Sequence, residues 1–190
     1  MSIQDDLIVR NGRFAETFDK PNMPALPGLR TVLLACADAR VDPAHVLGLE
    51  LGEVIVIRNT GGRVTRSVIE EVATLSVLSN ILTEGREQGF NIILMQHTQC
   101  GAQRLANPEL QATLKDNLGI DVTDYAITDQ ARDLMVDVGR LAAAREVPDA
   151  VTVSAMLYDV ATGSAEEIAP MQSLGNLRAA ARETDVLQAG

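Results

Sequence analysis

The chain is expected to fold as an α/β protein, a mainly parallel central β-sheet flanked by helices, with an N-terminal helical arm. Three observations predict this. Near-continuous apolar runs of strand length recur along the chain, as strands covered on both faces require. Segments of helical periodicity separate them. Polarity returns abruptly where the runs end. Strands alternating with helices imply a mainly parallel sheet wrapped on both sides.

The first twenty residues read as the arm, because Leu7, Ile8, Phe14 and Phe18 place much of their apolar surface on one side of a helix that Pro21 ends. PNMPALPG is then an extended connector into the first strand, TVLLACA, from Thr31 to Ala37. A second buried strand, EVIVIRN, runs from Glu53 to Asn59 and is closed by Gly61 and Gly62, which permit a tight turn. Ser67 and Glu70 have capping-box spacing at the start of a long helix carrying Val68, Val72, Leu75, Leu78 and Leu82, and Gly89 ends that unit. The third strand, NIILMQH, spans Asn91 to His97.

From Pro108 to Val147 the pattern is helical, with Thr128 as the expected cap of the segment through Leu134, Val138 and Leu141, and Pro148 as its stop. A fourth strand, AVTVSAMLYDV, leads through Ala161, Thr162 and Gly163 into a short segment ending near Ala169 that can pair back as a hairpin. There is no internal repeat, low-complexity tract or boundary. Residues 1–190 therefore read as one domain, with 1–20 as the arm and 171–190 as an exposed, partly helical C-terminal tail.

Composition excludes several function classes. Aromatic residues are only 3% of the chain against 46% hydrophobic, which disfavours a base-stacking nucleic-acid module. A formal charge of −10 repels phosphate backbones and anionic membrane surfaces. No apolar run approaches the roughly 20 residues that span a bilayer, and Asp5 and Asp6 stand where a secretory signal carries Lys or Arg. The expected location is the cytoplasm. There, the only two cysteines, Cys36 and Cys100, are better read as metal-binding or catalytic than as a disulfide.

Ligands of open sheets gather at the carboxyl ends of the strands. Three polar clusters sit there: Cys36-Ala37-Asp38-Ala39-Arg40, Arg58-Asn59-Thr60-Gly61-Gly62 and His97-Thr98-Gln99-Cys100-Gly101. Two thiolates and an imidazole match the preferences of zinc. His97 and Cys100 can point inward from one turn while Cys36 closes from another strand. Three protein ligands leave a fourth position for an ionisable water, the mark of a catalytic site. Buried, inert thiols are the bland alternative.

Asp38 and Arg40, two residues apart, can pair as carboxylate and guanidinium. Beside a metal, Asp38 can either ligate zinc and shut the site or accept a hydrogen bond from hydroxide on the metal, and Arg40 decides by holding it away. Two thiolates cancel the charge of zinc and lower the pKa of bound water less than three histidines do, so alkaline pH favours activity. Arg58 reads as a strand-end salt-bridge residue, Gly61 and Gly62 as a turn behind the ligands, His45 as surface or packing, and Tyr158 and Asp159 as strand-end structure.

In order along the chain, CADAR, VIRNTGG, HTQCGA and LYDVATG resemble the signature blocks of the beta-class carbonic anhydrases, over Val32 to Gly163. The resemblance implies Zn2+ held by Cys36, His97 and Cys100, with Asp38 and Arg40 as the dyad that opens or closes the fourth position. It implies a zinc lyase that reversibly hydrates carbon dioxide to bicarbonate and a proton by zinc-bound hydroxide. It also implies a homodimer or dimer-based oligomer in which the arm packs over the partner subunit. The sequence departs from the family pattern at Ala39, where serine is usual, at Gln96, where glycine usually precedes the histidine, and in its scarcity of aromatic residues. Relatives with the same ligands hydrolyse carbon disulfide or carbonyl sulfide. A non-catalytic zinc or bicarbonate-binding protein, with Asp38 closing the site, is a third reading.

Overall fold

The computed structural model describes residues 1–86 and 89–188. Its centre is a five-stranded sheet in the order β2-β1-β3-β4-β5, built from β1 (Thr31–Cys36), β2 (Val54–Asn59), β3 (Asn91–His97), β4 (Thr152–Tyr158) and β5 (Ala165–Ser173). The first four strands are parallel and β5 is antiparallel to β4. Thr31 stands beside both Val54 and Asn91, so β1, β2 and β3 start level and end level. That level ending brings the three polar clusters to one edge.

Alternation along the strands divides the core. Val32, Leu34, Ile92, Leu94, Val153 and Ala155 pack on one face with α3 (Arg66–Leu82), α5 (Gln130–Ala143) and the start of α6 (Leu174–Gln188). Leu33, Ala35 and Met95 face the other way, with Val41, Ala102 and Ile127. All of β1 is buried, and each Leu or Val taken out of water there contributes roughly 1.5–3 kcal/mol before the entropy of ordering is counted. β2 is less buried than its sequence suggests, with Val56 40% exposed, because it is an edge strand paired only to β1.

The helices depart from expectation at their ends. α1 (Ile3–Glu16) forms as the arm and has no buried residue. The Ser67–Glu70 capping box does not form: Thr65 is the N-cap, Ser67 lies in the first turn, and Glu70 pairs with Arg66 at 2.9 Å. Asp129, not Thr128, caps α5, accepting from the Arg132 N–H at 2.8 Å. The Thr128 N–H is instead taken by the Asp133 carboxylate at 2.7 Å.

The helical stretch after Pro108 is two helices, α4 (Pro108–Leu118), ended by Gly119 at φ 67, and α5. α5 stops at Ala143, ahead of Pro148. The returning hairpin strand runs past Ala169 to Ser173.

The expected exposed tail begins inside β5 and continues as α6, with Leu174 wholly buried. Arg178 is buried as well. Its guanidinium donates to the carbonyls of Ala142, Ala144 and Val147 and so ties α6 to the end of α5. It also pairs with the Asp149 carboxylate, and because all these partners lie far away in sequence they leave no local pattern, which is why the tail reads as detached. Residues 189–190 lie outside the described residues.

Candidate metal centre

Cys36 is the last residue of β1 and His97 the last of β3, and these strands are neighbours in the sheet. Beyond His97 the chain turns sharply at Gln99, φ 55, and returns Cys100 toward Cys36. The two sulfurs lie 3.7 Å apart, and both stand with the His97 ring within a span of 4.8 Å. All three residues are buried.

Hydrogen bonding prepares each donor. The His97 Nδ1 bonds the Thr98 carbonyl at 2.9 Å. A carbonyl can only accept, so the proton of the neutral ring sits on Nδ1 and the lone pair on Nε2. Nε2, also buried, has no hydrogen-bond partner among the described residues. Thr98 is in turn moored to β4, its N–H donating to Tyr158 O at 2.9 Å and its hydroxyl accepting from the Val160 N–H at 3.1 Å.

The Cys36 thiol is pushed down to about 4, chiefly by the hydrogen bond from Cys100 and against desolvation, with the backbone N–H groups of Asp38 and Gly61 also turned toward its sulfur. The Cys100 thiol is pushed up, because its ionisation would put a second negative sulfur beside the first and because it is buried. A divalent cation removes that conflict. Two sulfurs and a ready imidazole nitrogen, with no other buried partner for Nε2, are a fitting donor set for zinc.

Asp38 and Arg40 stand at the rim. Arg40 Nε donates to Asp38 Oδ1 at 3.0 Å and Nη2 to Oδ2 at 2.7 Å, a bidentate fork, and the Arg40 N–H adds a bond to Oδ1 at 2.9 Å. The same Nη2 donates to the Gln99 carbonyl at 3.1 Å, so one guanidinium spans the loops that follow β1 and β3. Asp38 Oδ2 lies 3.9 Å from His97 Nε2. The Arg40 guanidinium holds the Asp38 carboxyl well below the usual carboxylate range.

Arg58 does more than the strand-end salt bridge expected of it. It meets Asp42 at 3.2 Å, but its other nitrogens donate to Cys36 O at 3.0 Å and Asp38 O at 2.6 Å, bracing the loop that carries both residues. His45 is exposed in α2 (Pro43–Val46) and takes no part. Gln96 is wholly buried, neither amide atom meets a protein partner, and nothing around it accounts for a polar residue there.

Sequence reading missed Arg63 and Asp137, a buried pair behind the ligands. One sign was available: Asp133 and Asp137 interrupt the apolar side of α5 that carries Leu134, Val138 and Leu141.

The family model for carbonic anhydrase matches residues 31–120. Beta-carbonic anhydrase 1 of Mycobacterium tuberculosis is 32% identical over 172 residues, 90% of this chain and 100% of that protein. The chain belongs to the beta-carbonic anhydrase family. It is accordingly an enzyme of the carbonic anhydrase type, a zinc lyase, and zinc is its cofactor. The crystal structure of carbonic anhydrase from Streptococcus mutans superposes on this beta-carbonic anhydrase with a TM-score of 0.73 at 32% identity, covering 88% of this chain and 98% of that one. The apo form of a carbon disulfide hydrolase shares the fold, with a TM-score of 0.54 at 21% identity over 85% of this chain and 88% of its own. Among the described residues no helix is long and apolar enough to cross a membrane.

Proposed function

We propose that the enzyme interconverts carbon dioxide and bicarbonate, with Cys36, His97 and Cys100 as metal ligands and Asp38 and Arg40 as the catalytic pair. The reaction adds water to carbon dioxide and yields bicarbonate and a proton. The observation that carries this reading is the convergence of two thiols with the unpartnered His97 Nε2, beside a carboxylate whose two oxygens are both taken by arginine. When bound, zinc supplies Lewis acidity that lets a water molecule lose its proton at far lower pH than in bulk solvent.

The remaining work falls to the protein. Arg40 keeps Asp38 ionised and turned away from the ligands, so the carboxylate stays free to accept a hydrogen bond from the attacking oxygen and aim its lone pair at the substrate carbon. A carboxylate committed to the metal, as the non-catalytic reading requires, would give up this fork. Since Arg40 depresses the Asp38 pKa, Asp38 is already charged in mild acid, and a rise of activity above neutrality reports the water rather than this residue.

The test is metal analysis combined with hydration measured against pH. About one zinc per chain, and hydration that accelerates as pH rises through the alkaline range, are expected. Folded, metal-free chain with full activity would overturn the reading. Sulfide release from carbon disulfide or carbonyl sulfide in the same preparation, exceeding carbon dioxide hydration, would reassign the substrate.

We also place the active enzyme in the cytoplasm as a homodimer or a larger assembly of dimers. Both cysteines are free. The arm leaves Leu7, Ile8 and Phe14 at 50% exposure or more, an apolar side that nothing in its own chain covers. Sedimentation of the whole chain should give at least twice the monomer mass, and removal of residues 1–20 should lower it. A monomeric whole chain contradicts the dimer.

A further inference from the structure

Behind Cys36 a turn of backbone is packed close against β1 and β3. The turn Thr60–Gly62 follows β2, and Gly61 and Gly62 both have positive φ, 81 and 62. A Cβ on Gly62 would lie 2.9 Å from the Cys36 nitrogen, 3.0 Å from the Ala35 carbonyl carbon and 3.2 Å from the Met95 oxygen. Only a glycine lets the turn rest on β1 and β3 where the ligands emerge.

The turn is also fastened from behind. Asn59 closes it with two bonds, its Nδ2 donating to Arg63 O at 2.8 Å and its Oδ1 accepting from the Arg63 N–H at 2.9 Å. The Arg63 side chain, 4% exposed, donates through Nε and Nη2 to the two oxygens of Asp137 on α5, at 2.7 and 3.2 Å, and through Nη1 to the Ala126 carbonyl. Arg140 adds a bond to Val64 O at 3.1 Å. Asp137 is wholly buried. An ion pair at this depth costs several kcal/mol to desolvate, so stability alone is a weak reason for it.

We propose that Arg63 and Asp137 are positioning residues for the metal centre: through the Thr60–Gly62 turn they hold the backbone of Cys36, and with it the sulfur, in place, although neither touches a ligand. Support behind the backbone of a ligand fixes where its donor atom stands, and losing such outer partners weakens metal binding. The inference rests on Cys36 being a ligand, as proposed above.

The test uses the full chain loaded with cobalt(II) or zinc. The double variant Arg63→Met/Asp137→Leu removes both charges together, and Asp133, which Arg63 Nη1 also meets at 3.8 Å, keeps its bonds from the Thr128 and Asp129 N–H groups, so the chain should fold. Its zinc affinity, measured by chelator competition, should fall about 10- to 100-fold. The thiolate-to-cobalt charge-transfer band should shift, which a general loss of stability would not cause. Arg63→Lys, which keeps the charge but not the fork, should fall between the two.

A folded double variant with the parent affinity and the parent band would overturn the proposal. So would a folded Arg63→Lys variant indistinguishable from the parent in both affinity and band. A parent chain that takes up no metal would instead sink the ligand assignment and this inference with it.

Discussion

Cys36→Ala is expected to leave a folded chain that purifies nearly free of zinc and hydrates carbon dioxide more than about a thousandfold more slowly. The two donors that remain, His97 and Cys100, come from the end of β3 and the turn after it, and Cys36 is the one donor that β1 would supply. Loss of that third donor opens the coordination on one side. Folding survives because the change removes a single sulfur from a strand whose remaining residues stay buried and paired. Such a truncation costs on the order of 1 kcal/mol, well within the stability of a domain. Metal content and stopped-flow hydration on the same sample provide the check. A variant that keeps about one zinc per chain would mean that Cys36 is an inert buried thiol.

Asp38→Asn is expected to keep the metal and lose turnover by about 10²- to 10³-fold. The amide has nearly the shape of the carboxylate, but its nitrogen cannot accept, so the two-pronged acceptance of Arg40 at 3.0 and 2.7 Å is halved and the charge that aims the attacking oxygen is gone. Arg40 keeps its bond to Gln99 O, and Arg58 keeps its bonds to Cys36 O and Asp38 O, so the loop itself should hold. The pair of variants separates roles: metal lost in one and retained in the other. Equal metal loss in both contradicts the division between ligand and catalytic pair, and unchanged turnover in Asp38→Asn would favour a residue with no part in the chemistry.

Much of the site could be read in advance because parallel strands advertise themselves. After Thr31 and Asn91, β1 stays apolar up to Cys36 and β3 up to Gln96, and the ends of both strands are legible to within one residue. The three donors sit on those ends, so adjacency of two strands was enough to bring Cys36, His97 and Cys100 together. The supports were hidden for the opposite reason. Arg63 and Asp137 are 74 positions apart, and only the packing of α5 against the turn joins them. Arg178 hides in the same way, its partners being the distant Asp149 carboxylate and carbonyls that every residue type carries. Caps were misplaced by one or two residues at α3 and α5 because hydroxyl and carboxylate side chains were available at neighbouring positions, and tertiary contacts chose among them.

The level register of β1 and β3 carries one more consequence. Side chains alternate between faces along a strand, so a slip of β3 past β1 by a single residue would turn His97 to the wrong side and exile Cys100 along with it. Many misassembled sheets could still bury their leucines; none could close around an ion. Metal occupancy in a refolded sample therefore counts correctly threaded molecules, a stricter measure of folding yield than helix content or solubility.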